Sequence, residues 1–311
     1  MKHTLFSLPI KYFLGVVIIV MGVHLTGCMN LDSFIFKGEE VDEYFFDNYS
    51  GGECSDAIDS LGKIDPTFIE EMPISSGNDK IACVLVGEER RFTSTDTLIL
   101  YIHGTSLHID HYWARTRLLV ATGFPVFTFD FRGYGKSTGT PTETGIYEDG
   151  YACLKYIASD LGNPNVVVYA YSIGTLVGCE IAARDSTGKI IALILEAPIN
   201  SVETLIQDAT YLNLPGNMFS SYEGNNGEKI TEVNAPLLWL HGTDDETVTF
   251  ETNGKKVFGN YTGDKGYSCI VDGAGHRTVP STIGYRRYID GMRDFIIGHA
   301  SDNTLFSAGP Q

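Results

Sequence analysis

A serine, two adjacent aspartates and a histidine stand far apart in this chain, each in a setting suited to chemistry. Ser172 closes the β-branched run of "VVVYAYSIGTLVG" and has a glycine two positions on. Asp244 and Asp245 follow the turn residues His241 and Gly242, and His276 ends "GAGH". A serine hydroxyl is a weak nucleophile until an imidazole takes its proton. The imidazole in turn needs a carboxylate to fix its tautomer and to stabilise the imidazolium. Serine, aspartate and histidine in that chain order are the ingredients of acyl transfer, provided that the fold brings them together.

The elements that must do so are short apolar strands separated by helices. "DKIACVLVG", "TLILYIHG", "FPVFTFD", "NVVVYAYS", "KIIALILEAP", "PLLWLHG" and "YSCIVDG" read as strands. "HYWARTRLLVATG", "TGIYEDGYACLKYIASDLG", "TLVGCEIAARD" and the stretch around "YRRYIDGMRDFI" read as helices. Strands without clean alternation, spaced by helices, predict an α/β class with a mostly parallel sheet covered on both faces. In such a sheet, ligand groups gather beyond the carboxyl ends of the strands. There stand His103-Gly104-Thr105-Ser106, "DFRGYGKS" from Asp130 to Ser137, Ser172, Glu196, His241 to Asp245, and Gly273 to His276.

With "HGT", "DFRGYGKS", "YSIGT", "LEAP", "HGTDDETV" and "GAGH" in this order, the chain resembles the α/β-hydrolase superfamily, near its serine aminopeptidase or monoacylglycerol-lipase-like branch. The resemblance runs from about Thr67 to His299. It implies the α/β-hydrolase fold with a short cap segment at 198–234, Ser172 as nucleophile and His276 as general base. In the family pattern the acid is the fourth residue after the histidine, which selects Asp245 over Asp244 and puts Val248 in its slot. The oxyanion amides would be those of Ile173 and Thr105. One position departs: Ala170 stands where the family's elbow has glycine, adding one methyl to a crowded turn. Asp130 and Arg132 are expected to be structural, and Glu196 either to orient the Asp130–Arg132 turn or to contact substrate, with structure the favoured role. In the cap, Leu205, Leu212, Leu214, Met218, Phe219 and Tyr222 either line an acyl cleft or pack onto the sheet.

Other chemistries fit poorly. The G-K-S of "FRGYGKS" is not a phosphate loop, because Asp130 occupies its first glycine position and Pro141 stands where the cradling helix would begin. His103 and His241 each head an H-G turn and are expected to hold loops rather than a metal, and no cofactor is implied. His108 and His111 are expected at the surface or a pocket rim. A net charge of −17 with 22 Lys and Arg argues against nucleic acid. After Cys28 is set aside, Cys54, Cys83, Cys153, Cys179 and Cys269 remain, an odd number, expected mainly as buried small hydrophobes; a Cys54–Cys83 bridge is one pairing proximity allows.

The N-terminus carries Lys2 and Lys11, the apolar run "YFLGVVIIVMGV" and then "LTGC" at 25–28. The run falls short of the roughly 20 apolar residues of a membrane span. It resembles a bacterial lipoprotein signal whose Cys28 carries the lipid. The expected organisation is a signal peptide at 1–27, a lipidated polar tether at 28–66, the hydrolase domain at 67–299 and a flexible tail at 300–311. The expected activity is cleavage of small or lipid-like esters at the cell envelope, at the outer membrane of a two-membrane cell. An aminopeptidase, an acyltransferase and an idle hydrolase-fold binding protein are the alternatives.

Overall fold

The computed structural model describes residues 35–210, 220–298 and Phe306. Its strands are β1 (Lys37–Gly38), β2 (Ile69–Ser76), β3 (Asp79–Val86), β4 (Thr97–Ile102), β5 (Ser106–Leu107), β6 (Val126–Phe129), β7 (Asn165–Tyr171), β8 (Ile190–Glu196), β9 (Leu237–Gly242) and β10 (Gly266–Val271). Eight of them form one sheet in the order β10-β9-β8-β7-β4-β6-β3-β2. From β6 through β10 all neighbours are parallel, while β3 is antiparallel to both β6 and β2. The sequence reading missed β2. Its residues Glu70, Glu71 and Pro73 suit an edge with one solvated face and blur the apolar signal.

Two apolar layers cover the sheet, and β7 shows how one strand serves both. Val166, Val168 and Ala170 face one core, with helices α2 (Glu143–Asp160) and α3 (Gly174–Ala183). Val167, Tyr169 and Tyr171 face the other, with α1 (Trp113–Val120) and α4 (Tyr285–Ile296). Side chains of successive strand residues point to opposite faces, so a strand buried on both sides must be apolar throughout. Thr142 caps α2 by accepting from the Gly145 amide at 3.0 Å.

The chain leaves β4 toward β6 on one side, then returns to β7 on the other side of β4. The loops after β4 and β7 therefore part, opening a crevice at the carboxyl ends of these two strands. The His103–Thr105 turn lies at one lip and Ser172 at the other.

Residues 35–66 are not a free tether. Tyr44 and Ala57 are buried, β1 pairs with β5, and Asp47 accepts from the Trp113 indole at 2.7 Å and from Arg117 at 2.5 Å. Scattered aromatics and carboxylates in a polar stretch anchor this segment by contacts that its composition does not reveal. Cys28, the signal-like run, and cap residues Leu212, Leu214, Met218 and Phe219 lie outside the described residues. Leu205 and Tyr222 pack against the core. In the tail, Phe306 packs against Tyr288, with ring centroids 6.3 Å apart. His108 and His111 are buried rather than superficial, because the 35–66 segment covers them. Cys54 and Cys83 are unbridged, with Cys83, Cys153 and Cys179 buried.

The helix after Ser172 meets the sheet closely. A Cβ built on Gly178 would lie 2.6 Å from the Ala170 methyl, so the extra methyl at the turn occupies space that the helix leaves by lacking one. Gly178→Ala should therefore cost about 1–3 kcal/mol by overpacking. Adding Ala170→Gly should recover most of that loss in urea denaturation; no recovery would separate the two positions.

Candidate active site

Ser172 has φ +55°, in the left-handed region that a residue with a Cβ enters at a cost of about 1–3 kcal/mol. This single turn reverses the chain from buried β7 into α3 and lifts the side chain above the strand end. Its amide donates to the Glu196 carbonyl at 3.0 Å, and its carbonyl accepts from Thr175 N at 3.0 Å and Thr175 Oγ1 at 2.6 Å. Gly174 completes the turn: a Cβ there would run into the carbonyl oxygens of Ile102 and His103, so only glycine allows α3 to start against the end of β4.

The three separated side chains meet here. His276 Nε2 lies 3.0 Å from Ser172 Oγ, and Nδ1 lies 2.7 Å from Asp245 Oδ2. A carboxylate only accepts, so Nδ1 carries the proton and Nε2 is left to accept from the serine hydroxyl. Asp245 is buried. Its other oxygen accepts from the amides of Thr247 at 2.9 Å and Val248 at 2.8 Å. Burial raises the carboxyl pKa, but the neighbouring His241 and His276 and the Val248 amide outweigh it, and the net direction is down. Asp244 stands apart, exposed, with its Oδ1 3.2 Å from Thr243 Oγ1. Asp272 likewise faces Thr243, at 3.4 Å.

Both strand-end histidines are buried and tied to loops. The Trp239 indole donates to His241 Nδ1 at 3.3 Å, so Nε2 carries the proton and donates to the Val248 carbonyl at 2.8 Å. His103 spans from Asp130 Oδ1, 2.9 Å from Nε2, to the Gly104 carbonyl, 2.7 Å from Nδ1. The Ile173 amide follows Ser172 directly in the chain, and the Thr105 amide lies in the turn after β4, the strand beside β7. Arg132 is held by Asp149 at 2.8 Å. Glu196 does not orient that turn: it pairs with Arg115 at 2.5 Å and with the Tyr169 and Tyr288 hydroxyls.

Behind His276 lies a network that sequence reasoning missed. The Tyr171 ring stacks on His276 with centroids 5.2 Å apart, and its hydroxyl donates to the His276 carbonyl at 3.1 Å. The Arg115 guanidinium lies over the Tyr171 ring, 3.9 Å from its centre. Glu53, Arg115 and Arg277 complete the network. Arg115, like Arg117, carried a signal, a charge inside a buried helix.

A protein-family profile described as serine aminopeptidase, S33, matches residues 93–226, which include Ser172 and stop short of Asp245 and His276. The chain is 29% identical to the α/β hydrolase domain-containing protein aho-3 of Caenorhabditis elegans, over 72% of this chain and 63% of that one. It is also 29% identical to lysophosphatidylserine lipase ABHD12 of Danio rerio, over 64% of this chain and 55% of that protein. The chain thus spans somewhat over half the length of these two curated relatives. Among solved structures, an esterase of Pyrococcus furiosus, Pf2001, superposes with TM-score 0.63 at 18% identity, covering 85% of this chain and 98% of that one. A ferulic acid complex of Est1E from Butyrivibrio proteoclasticus superposes with TM-score 0.58 at 17% identity, over 73% of this chain and 98% of the other.

The lowered carboxyl pKa gives Asp245 a signed role in stability. A group depressed on folding stabilises fully above its unfolded value of about 3.9 and loses that contribution as pH falls through the folded value. Wild type should exceed Asp245→Asn by about 1–3 kcal/mol at neutral pH. Urea denaturation should show this margin level above about pH 4 and shrinking below it. A margin that grows toward acid would contradict the arrangement.

Proposed function

We propose that this chain, which has the α/β-hydrolase fold, is a serine ester hydrolase working through Ser172, His276 and Asp245. One observation carries the reading: the unbroken run of short contacts from Ser172 Oγ through His276 to Asp245, with the serine on a strained left-handed turn. The Ser172 Oγ–carbon bond forms as the hydroxyl proton passes to His276 Nε2, and the carbonyl electrons move to oxygen. The Thr105 and Ile173 amides receive that oxyanion. The proton then passes from His276 to the departing alkoxide as the ester C–O bond breaks, leaving an acyl-enzyme. Water repeats the sequence, giving its proton to His276, releasing the acid and restoring Ser172.

Small or lipid-like acyl esters are the proposed substrate class, in keeping with relatives that include a lipase and with folds that include esterases. The chain is proposed to be exported and held at the cell envelope by lipid on Cys28, a reading supported by "LTGC" behind a short apolar run. No helix among the described residues is long and apolar enough to cross a membrane.

A fluorophosphonate probe should label the wild type and not Ser172→Ala; equal labelling of both, or of neither, would end the enzymatic reading. Ester substrates of graded chain length should be turned over faster than aminoacyl anilides, and the reverse order would favour an aminopeptidase. Ser172→Ala should lower kcat by about a million-fold. Cys28→Ala should move the protein from the membrane to the soluble fraction, and unchanged fractionation would remove the anchor.

A further inference from the structure

The segment 35–54 touches both halves of the candidate site. At its start, the Ile35 carbonyl accepts from Thr105 Oγ1, and the Lys37 amide donates to the Thr105 carbonyl at 3.1 Å. β1 continues this contact by pairing with β5 in the register Lys37↔Ser106 and Gly38↔Leu107. Further along, the Tyr44 hydroxyl donates to Asp130, the carboxylate that also holds His103. His103 in turn faces the Gly104 carbonyl. That carbonyl and the Thr105 N–H belong to one planar trans peptide and point in opposite directions. Holding the carbonyl on His103 therefore fixes the direction of the amide assigned to the oxyanion.

At its far end the segment holds the other loop. Glu53 Oε1 lies 3.1 Å from Arg277 Nε, and Cys54 Sγ donates to the Arg277 carbonyl at 3.3 Å. Arg277 is the residue after His276. Glu53 is itself fixed: its amide donates to the His111 carbonyl at 2.8 Å and its Oε2 lies 3.5 Å from Arg115 Nε. Gly52 makes this approach possible, since a Cβ there would stand 2.9 Å from the His111 carbonyl oxygen. The nucleophile's two partners, the amide that receives charge and the imidazole that receives the proton, are thus tied to one stretch of chain outside the sheet.

We propose that residues 35–54 are a positioning clamp that sets the Thr105 amide and the His276 loop against Ser172. The inference rests on the reading of Ser172 as nucleophile. None of the clamp residues touches the reacting atoms; they act through Thr105, His103 and Arg277. Misplacement of a catalytic group by about 1 Å costs about a hundredfold in rate, so loosening either end should act on kcat rather than KM.

Three variants of the full-length chain test it. Thr105→Val keeps the shape and the backbone amide but removes the hydroxyl held by Ile35. Glu53→Gln removes the charge held by Arg277, and Arg277→Gln breaks the same pair from its exposed side should the buried change prevent folding. Each should lower kcat roughly tenfold with KM within about twofold, while fluorophosphonate still reaches full labelling of Ser172 at a slower rate. Native-state amide exchange should rise at 103–107 in Thr105→Val and at 273–278 in the Glu53 or Arg277 variant. Glu53→Gln and Arg277→Gln together should cost little more than Glu53→Gln alone, since that change already removes the pair with Arg277. Unchanged kcat, or unchanged exchange in those loops, overturns the clamp. Failure of wild type to label overturns the reading of Ser172, and the exchange measurement still decides whether the segment holds the loops.

Discussion

The arrangement depends on one backbone constraint, the left-handed conformation of Ser172 between a strand buried on both faces and a helix that begins at once. The strain is tolerable because its neighbours leave no alternative. β7 is pinned between β4 and β8 by parallel pairing, and the Ser172 amide is bound to the Glu196 carbonyl. The start of α3 is pressed on the carbonyl end of β4 through Gly174. A local cost of about 1–3 kcal/mol is small against the burial of the two apolar layers that fix these elements. The same constraint places the hydroxyl at the crevice where the loops of β4 and β7 diverge.

Much of this was legible in the sequence because it is written locally. Buried runs such as "VVVYAY" announce central strands, and Gly174, two residues past Ser172, announces a close turn. The order of the strand-end residues announces how the parallel sheet gathers them. Ala170 looked like a defect in that pattern and is matched by Gly178 on the facing helix, eight residues along, a pairing that only the packing of α3 on β7 reveals. The family resemblance separated Asp245 from Asp244, and the physical difference is burial. Only Asp245 lies under the loop, where two amides and an imidazole surround its carboxylate.

What was not legible is held by contacts between residues distant in sequence and ordinary in type. "EYFFDNYSGGECSD" has the composition of a solvated linker, yet Tyr44, Asp47 and Glu53 each find a partner in the 103–130 region. Composition averages over a segment, whereas a few buried side chains suffice to dock it. The burial of His108 and His111 follows from that docking and is as hidden in the sequence as the docking itself. β2 escaped for a related reason: an edge strand needs only one apolar face, and its carboxylates and proline look like a loop.

The docked segment also settles a problem of charge behind His276. Arg115 is fully buried beside Glu196, and an isolated guanidinium there would be prohibitive. Glu53 and Arg277 extend the pair to two carboxylates and two guanidiniums, formally neutral together. Burial works to raise the Glu53 carboxyl pKa, but His111, Arg115 and the other neighbours prevail and hold it low, so it remains an anionic partner for both arginines. The Tyr171 ring stacks on His276 and carries the Arg115 guanidinium over its face. A neutral support fixes the loop without presenting an unbalanced charge to the imidazole. In the proposed reaction the carboxylate that faces an imidazolium directly is that of Asp245, 2.7 Å from Nδ1. Geometry and electrostatics are thereby divided between two sets of residues, the network of arginines and glutamates holding the ring in place and a single carboxylate tuning its chemistry.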